Sequence, residues 1–448
     1  MTQTHPNNIA VIGSGIAGLS CAWLLSKTHS VTLFEKDDRF GGHSNTVVTK
    51  TTSGTVPVDT GFIVYNPKNY PNLTELFAHL GVETTATEMS FGVSAEGGAI
   101  EYNGNGLKGI FASASNCFNP KIWRMLLDIL RFYRESPTWH QTLSEETTLG
   151  QLLAQQGFSE ALRDLHLIPM GAAIWSTPKT EMLQYPALSF IRFCDNHGLL
   201  QVKDRPQWRT VTGGSREYVR KLVAQIQPSA FCNLGARQVI RHATGVEVVD
   251  SRGDHRQFDA VVLACHADQA LQLLATPSEQ EQQLLGAFRY QRNRAILHSD
   301  TRLLPKNRKV WSSWNYLSGY GENSDSLAVS YWMNQLQPIQ TEQPLIVTLN
   351  PPIEPEESLI HSSFLYDHPL FNQQAIAAQQ LLYQLQGQRN TWFCGSYFGY
   401  GFHEDGLQSG LAVAEALGAP KRPWQVANAS GRIHWPEASV QAKHSPVL

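Results

Sequence analysis

Gly13, Gly15 and Gly18 place a G-x-G-x-x-G spacing inside the run Gly13-Ser14-Gly15-Ile16-Ala17-Gly18. That spacing suits backbone laid against a pyrophosphate. The first glycine permits a tight turn, the second lets main chain approach the phosphates, and the third lets a helix pack close to a strand. A helix opening there turns unpaired N–H groups and the positive end of its dipole toward the anion. Glu35 follows roughly twenty residues on, as the ribose-binding acid of such units does. A carboxylate there accepts ribose hydroxyls and repels a 2′-phosphate, which favours FAD or NAD over NADP. Gly104, Gly106 and Gly109 repeat the spacing without a clear strand–turn–helix context or a following acid. They read as a loop, so a separate nicotinamide site has no support.

The first motif needs a strand before it and a helix after it. Asn8–Ile12 (NIAVI) is an apolar run of the kind buried in parallel sheets, Leu19–Ser26 has helical periodicity, and Val31–Phe34 is a second short strand ending at Glu35. Further along, Tyr70–Leu80 reads as a helix closed by Gly81, and Met89–Tyr102 as paired strands. Lys121–Glu135 and Thr148–Gln156 read as helices. Strand-like runs at 246–249 and 260–265 precede a helical stretch at 268–275. Residues 290–350 read as antiparallel strands, 373–386 as helix, Thr391–Cys394 as strand, and Gly406–Leu417 as helix. Lys421–Leu448 is polar and Pro-containing, and reads as a loosely packed tail.

Composition sets the limits. At roughly 150 residues per domain, 448 residues make two or three domains. With 42% hydrophobic and 16% charged residues the chain can bury a large core, and a formal charge of −3 argues against a nucleic-acid partner. The six cysteines are scattered without a C-x-x-C pair, so neither a disulfide framework nor a metal site is expected, and a reducing cytoplasm fits. No basic, apolar leader and no membrane-spanning run are evident.

Beyond Glu35, the stretch Lys36-Asp37-Asp38-Arg39-Phe40-Gly41-Gly42-His43 resembles the E-x-x-x-R-x-G-G element of the flavin amine oxidoreductase superfamily, which includes monoamine oxidases, L-amino-acid oxidases and phytoene desaturases. Thr60-Gly61-Phe62 resembles the family segment beside the isoalloxazine, Gly213-Gly214 its internal glycine pair, and Gln238-Val239-Ile240 the strand whose valine meets adenine. Gly395-Ser396, followed by Gly406 and Leu407, resembles the last FAD motif, where a helix N-terminus faces the flavin N1–C2=O2 edge. The resemblance thus implies FAD. It also implies that Lys36, Arg39, Gly41, Gly42, His43, Thr60, Gly61, Phe62, Val239, Gly395, Ser396, Gly406 and Leu407 contact it, together with the Gly13–Gly18 turn and Glu35. Within the superfamily, Pro169–Pro178 and Phe398–Leu407 are most like a bacterial group described as predicted NAD/FAD-binding proteins. That group is often encoded beside cyclopropane-fatty-acyl synthases, which implies chemistry on acyl chains. The departures are His43 where the family often has Arg, Ser396 and Tyr397 where an acid is frequent, no evident lysine for the flavin N5, and no cysteine at the covalent-attachment position. FAD is therefore expected to be non-covalent.

If flavin performs the hydride chemistry, the protein orients the substrate. Tyr397, Phe398, Tyr400, Phe402 and His403 form an aromatic cluster beside the last motif, and His403 or Glu404 could exchange a proton. Tyr397, Tyr400, His403 and Glu404 are the candidate catalytic residues; each has packing or helix capping as its ordinary alternative. Ile174 and Trp175 are candidates to roof the substrate, or plain core. Lys121–Glu135 is amphipathic. Its polar face of mixed sign suits a cover for the substrate domain, and its Trp and Arg content would also suit a peripheral membrane contact.

The expected fold is α/β, with a discontinuous Rossmann-like FAD domain (1–80, 205–272, 388–420), an inserted α+β substrate domain (81–204, 273–387) and a tail (421–448). The expected function is an FAD-dependent oxidoreductase removing hydride from a carbon centre of a hydrophobic, fatty-acyl or lipid substrate, in the cytoplasm or at the inner membrane face. An amine or amino-acid oxidase is the alternative. A non-catalytic binding module and a nicotinamide-only dehydrogenase are more distant. Oligomeric state is not legible.

Overall fold

A computed structural model describes residues 6–175, 179–200, 206–320 and 327–435. The end of the Pro169–Pro178 segment, the expected boundary at 204/205 and residues 436–448 of the tail lie outside the described residues.

Five short strands build one parallel sheet: β1 (Asn8–Ile12), β2 (Ser30–Phe34), β3 (Ala230–Phe231), β4 (Ala260–Leu263) and β5 (Thr391–Phe393). Their spatial order is β5-β4-β1-β2-β3, with Ile9 between Ala260 and Val31. β1 is central, paired on both edges, and its four residues Ile9–Ile12 are buried. All four residues of β4 are buried, as in a strand covered on both faces.

Five helices matter for the site: α1 (Ile16–Leu25), α2 (Pro71–Leu80), α3 (Pro120–Thr142), α4 (Arg216–Ile226) and α5 (His403–Ala416). Every residue of α1 is buried, which an apolar surface on all sides demands. α5 packs along it. A Cβ on Gly410 would sit 2.2 Å from the Ala17 carbonyl oxygen, and one on Gly406 2.9 Å from Ile16 Cγ2. These glycines let two helix N-termini from opposite ends of the chain meet side by side.

The second layer is a seven-stranded sheet in the order 360–370, 289–298, 346–349, 327–332, 314–318, 91–95, 100–103. It is antiparallel except where 314–318 pairs with 91–95 in parallel. A small antiparallel sheet (236–241, 246–250, 255–258) flanks the first layer.

Several expectations are corrected. The helix expected at Lys121–Glu135 runs from Pro120 to Thr142, straight through Pro137. Proline removes the N–H that would bond the Tyr133 carbonyl, and Ser136 Oγ donates to that carbonyl at 3.2 Å. Asp128, expected on the solvent face of this helix, is buried: it accepts from Arg124 Nε (3.2 Å) and from the Ser159 backbone N–H (3.1 Å). The last helix begins at His403 rather than Gly406, because Asp405 reaches back to accept from the Phe402 N–H at 2.8 Å. The loop expected at Gly104–Gly109 contains a short helix, Gly106–Ile110.

Residues 421–435 are not loose. Trp424 stacks on Trp23 with ring centroids 6.0 Å apart, and Arg422 Nη1 donates to Asn72 Oδ1 at 3.0 Å. Arg432 lies 3.3 Å from Asp405 Oδ1. This segment closes over α1, α2 and the start of α5.

Candidate cofactor and active site

The glycine turn joins β1 to α1. Gly13 adopts φ +104°, and a Cβ there would lie 2.7 Å from the Ala264 carbonyl oxygen. Gly18 admits no Cβ either, since one would fall 1.9 Å from the Gly13 oxygen. Gly15 differs: a Cβ there meets nothing within 4 Å. Helix packing therefore forces two of the glycines, while Gly15 faces open space. No side chain caps the N-terminus of α1, so its first N–H groups stay available to an anion. Glu35 stands at the end of β2 and accepts from the Ser14 N–H (2.9 Å) and the Asp37 N–H (2.9 Å). Ser14 and Glu35 thus fix each other's positions, and Ile16 and Ala17 open α1 directly beside them.

The next segments fold onto this turn. Gly41 N–H donates to the Ser14 carbonyl (3.0 Å), and a Cβ on Gly42 would lie 3.2 Å from Gly15 Cα. Gly61 packs on the His43 backbone, where a Cβ would fall 2.1 Å from the His43 oxygen. Arg39 Nη1 sits 3.5 Å from the Ser44 carbonyl. Lys36 packs beside Gly235. What holds Thr60-Gly61-Phe62 in place is Asp59, a buried carboxylate that accepts from Ser215 N (2.9 Å), Ser215 Oγ (2.7 Å), Thr46 Oγ1 (2.6 Å) and Gln337 Nε2 (2.9 Å). Burial nonetheless pushes its carboxyl up to about 6.

His403 is the chemically distinctive residue at the start of α5. Its ring stacks on Phe62 at 3.7 Å, and Nε2 meets Ser44 Oγ (2.9 Å) and Tyr218 OH (3.2 Å), themselves 2.5 Å apart. Burial pushes the imidazole down to about 3, so it is neutral near pH 7. Nδ1 makes no hydrogen bond among the described residues. His43 lies in a second cluster, with ring centroids 5.0 Å from Tyr366 and 5.3 Å from His368. Desolvation lowers its pKa well below the usual histidine range, and His368, His266 and His403 add to this. Its Nε2, like His266 Nδ1 and the Tyr397 hydroxyl, is buried without a partner among the described residues. Orphaned polar atoms of this kind near an uncapped helix fit a polar ligand threaded between them.

The other candidates divide. Thr60 Oγ1 meets Tyr366 OH at 2.7 Å. Gly395 is tied to α5 through Ser409, whose Oγ accepts its N–H at 3.0 Å, and the Ser396 carbonyl accepts from Gly399 and Gly401 (each 3.1 Å). Gly406 and the fully buried Leu407 lie in the first turn of α5, against α1. Val239 lies in the small antiparallel sheet. It pairs with Val248 on one side, and on the other its carbonyl accepts from the Ala275 N–H at 3.0 Å. The segment that reaches Glu35 is 231–234: the Glu35 N–H donates to the Phe231 carbonyl at 2.9 Å and the Leu234 N–H donates to the Glu35 carbonyl at 2.8 Å. Glu404 points into the N-terminus of α2, accepting from Asn72 N (3.1 Å), Asn72 Nδ2 (2.8 Å), Leu73 N (3.0 Å) and Gln408 Nε2 (2.9 Å). Tyr397 is buried against Phe288 and Phe398.

Tyr400 and Phe402 join an aromatic wall. Phe193 stacks on Phe402 (5.0 Å) and on His197 (3.8 Å), with Trp175 4.7 Å away and Tyr400 6.0 Å away. Burial pushes His197 down to about 3 as well. Sequence reading missed Ser44, Tyr218, Tyr366, His266, His368, Phe193 and His197. Only Tyr218 carried a signal, since it follows the Gly213-Gly214 pair on the amphipathic α4.

The sequence profile of the flavin containing amine oxidoreductases matches residues 16–418. A Mycobacterium tuberculosis protein with the provisional name flavin-containing monoamine oxidase is 28% identical over 256 residues, 55% of this chain and 54% of its own length. The chain therefore spans about half the length of the curated relatives it matches. Among solved structures, a CLA-producing fatty acid isomerase from P. acnes superposes with a TM-score of 0.63 at 16% identity, covering 90% of this chain and 96% of that one. Cyclohexylamine oxidase from Brevibacterium oxydans superposes with a TM-score of 0.66 at 15% identity, covering 92% and 99%. At these identities the likeness concerns the fold.

Proposed function

This chain belongs to the flavin-containing amine oxidoreductases, a family whose cofactor is FAD, and from that premise we propose that it is an oxidoreductase removing hydride from a carbon centre of a hydrophobic substrate, with an acyl or lipid chain as the preferred class. One observation carries the substrate reading. The wall beside α5 is aromatic, and the two carboxylates in the first turn of α5, Glu404 and Asp405, are spent on helix caps. Such a surface offers apolar contact and no free carboxylate from α5.

Bound non-covalently, FAD supplies the hydride acceptor. The residues that would hold it are the Gly13–Gly18 turn, Glu35, Arg39, Gly41–His43 and Thr60–Phe62, with α5 closing the far end. The N-terminus of α5 brings unpaired N–H groups and positive potential to that end, which favours negative charge there. Phe193, Phe402 and Tyr400 hold an apolar substrate and exclude water. His403 is clamped by Phe62, Ser44 and Tyr218 with Nδ1 left over. A neutral imidazole so held can accept a hydrogen bond at Nδ1, and so orient a substrate, while Nε2 keeps its own partners; with its pKa pushed down to about 3 it carries no proton near pH 7.

The names of the relatives favour a second reading, an amine substrate, whose neutral form aromatic rings also accommodate. Anaerobic mixing of the FAD-loaded protein with fatty acids, phospholipids and primary amines separates the two. Bleaching of the flavin by the acyl compounds supports the first reading; bleaching by amines alone overturns it.

A further inference from the structure

Nine large hydrophobic side chains lie exposed among the described residues, and five of them fall within one short stretch: Leu107 (63% exposed), Phe118 (88%), Trp123 (46%), Leu127 (62%) and Leu130 (52%). Trp123, Leu127 and Leu130 recur at i, i+4 and i+7 on α3, so they form a single stripe. The rest of the patch is fastened to it. Trp123 Nε1 donates to the Cys117 carbonyl at 2.9 Å, which sets Phe118 beside the stripe, and the Phe111 ring lies 4.9 Å from Trp123, one helical turn from Leu107. The opposite face of α3 is core, with Ile122, Met125, Ile129, Phe132 and Trp139 buried.

Charge separates this patch from an ordinary packing flaw. Residues 105–135 carry Lys108, Lys121, Arg124, Arg131 and Arg134 against Asp128 and Glu135, on a chain whose formal charge is −3. Asp128 is buried under the helix, and Glu135 is paired with Arg131 at 3.0 Å. Lys121 pairs with Glu96 at 2.7 Å, Arg124 with the buried Asp128 at 3.2 Å and Arg134 with Glu135 at 3.5 Å, yet Lys108, Arg124 and Arg134 all stand exposed to solvent. The solvent face of α3 and the segment before it thus present aromatic and aliphatic side chains ringed by cations, within a molecule that is otherwise net acidic.

We infer that this face is a membrane-docking surface for an anionic lipid bilayer, with α3 lying along the interface and Phe118, Trp123, Leu127 and Leu130 entering the headgroup–acyl boundary. Trp and Leu on one side with Lys and Arg at the margin is the arrangement an interfacial helix needs, since apolar burial and attraction to anionic headgroups act together. No helix among the described residues is long and apolar enough to cross a membrane, so the attachment is peripheral. The surface also leads to the site. α3 packs against the helix 187–196, His140 Nε2 lying 3.6 Å from Asp195, and that helix carries Phe193 of the aromatic wall.

The test reads binding without turnover, so it stands or falls separately from the substrate reading. FAD-loaded full-length protein is floated with phosphatidylcholine vesicles, with and without roughly one third phosphatidylglycerol. The expected result is recovery with the anionic vesicles that declines as salt is raised. Leu127→Glu with Leu130→Glu should weaken binding to them at least about tenfold. Lys108→Gln with Arg134→Gln should weaken it by about tenfold, on the anionic vesicles only. These side chains are exposed, so flavin content and melting temperature serve as folding controls. Absence of recovery with either vesicle overturns the inference. So does a wild-type dimer in sedimentation that the Leu127/Leu130 variant dissociates, which would make the patch an interface between two copies of this chain.

Discussion

One substitution at Glu404 decides between a proton carrier and a helix cap. Its carboxylate receives the N–H groups of Asn72 and Leu73, the first two donors of α2, because Pro71 has none and Tyr70 offers no capping side chain. It also receives Asn72 Nδ2 and Gln408 Nε2. In Glu404→Ala, Asn72 Nδ2 keeps the Ala429 carbonyl at 3.0 Å, but two backbone donors and the Gln408 amide lose their acceptor inside the protein. At ~1–3 kcal/mol for each buried donor left unpaired, and with overlap between neighbours, the loss comes to about 3–5 kcal/mol. For a cooperative unit of about 150–250 residues that lowers the melting temperature by roughly 6–20 °C. Glu404→Gln keeps the shape, loses one bond and sets an amide against the Leu73 N–H, so it costs about 2 kcal/mol. The assay is a thermal melt of the FAD-loaded variants, paired with anaerobic flavin reduction measured per loaded site well below the melt. The expected outcome is lowered stability with a reduction rate within about threefold of wild type. The reasoning is refuted if Glu404→Gln melts like wild type and reduces its flavin ~100-fold more slowly, the signature of a lost general acid or base.

Gly15→Ala should fold normally, since its Cβ meets no protein atom within 4 Å, and should bind FAD at least about tenfold more weakly because the methyl enters the phosphate path; fluorescence titration of the apoprotein with FAD checks this, and unchanged affinity would place the pyrophosphate elsewhere. Acid should destabilise the protein through its buried neutral histidines. Burial lowers His298 to about 4, so the unfolded chain binds more protons than the folded one below pH ~6.5, and this contribution is complete above that pH and lost as pH falls toward 4. The share of His298 is about 3 kcal/mol, and His298→Gln should flatten the urea-midpoint curve between pH 7 and 4.5 by that amount. Arg241 and Glu281 form a buried ion pair, Nη2 to Oε2 at 3.0 Å; Arg241→Met should cost about 3–5 kcal/mol and Arg241→Met with Glu281→Leu much less, because the single change strands a charge while the pair does not. Equal denaturation midpoints for the single and double variants would contradict this.

What the sequence made legible was backbone. Gly13, Gly15 and Gly18, the strand Asn8–Ile12 and the acid Glu35 all act within one strand–turn–helix unit, where spacing along the chain equals spacing in space. Gly81 closing α2 in the left-handed region (φ +62°) is the same kind of local fact. The amphipathic pattern of 121–135 located α3 but misassigned its faces. Asp128 reads as a solvent residue by type, and it is buried where it accepts the N–H of Ser159, the residue that opens the short helix Glu160–Leu162. Taking that acid out of the outer face leaves Trp123, Leu127 and Leu130 among cations, so the mixed-sign cover expected from composition becomes a basic, apolar surface.

The side chains of the site were illegible for the same physical reason. Ser44 and His403 are 359 positions apart, and nothing in either neighbourhood announces the other. Their meeting is a product of two glycine-mediated approaches, Gly406 and Gly410 against α1 and Gly61 against the His43 backbone, which bring the start of α5 onto the Gly41–Ser44 turn. Whether an acid at that point does chemistry then depends on which unpaired N–H groups come within reach. Glu404 meets the open end of α2 and Asp405 meets the Phe402 N–H, so both carboxylates become structural, while His403 faces only hydroxyls and an aromatic ring and keeps one nitrogen unspent. Three adjacent residues of similar chemical promise are thus sorted by their tertiary partners. The sorting leaves an aromatic surface with one imidazole next to the helix end, and the proposed substrate class rests on this remainder more than on the family resemblance.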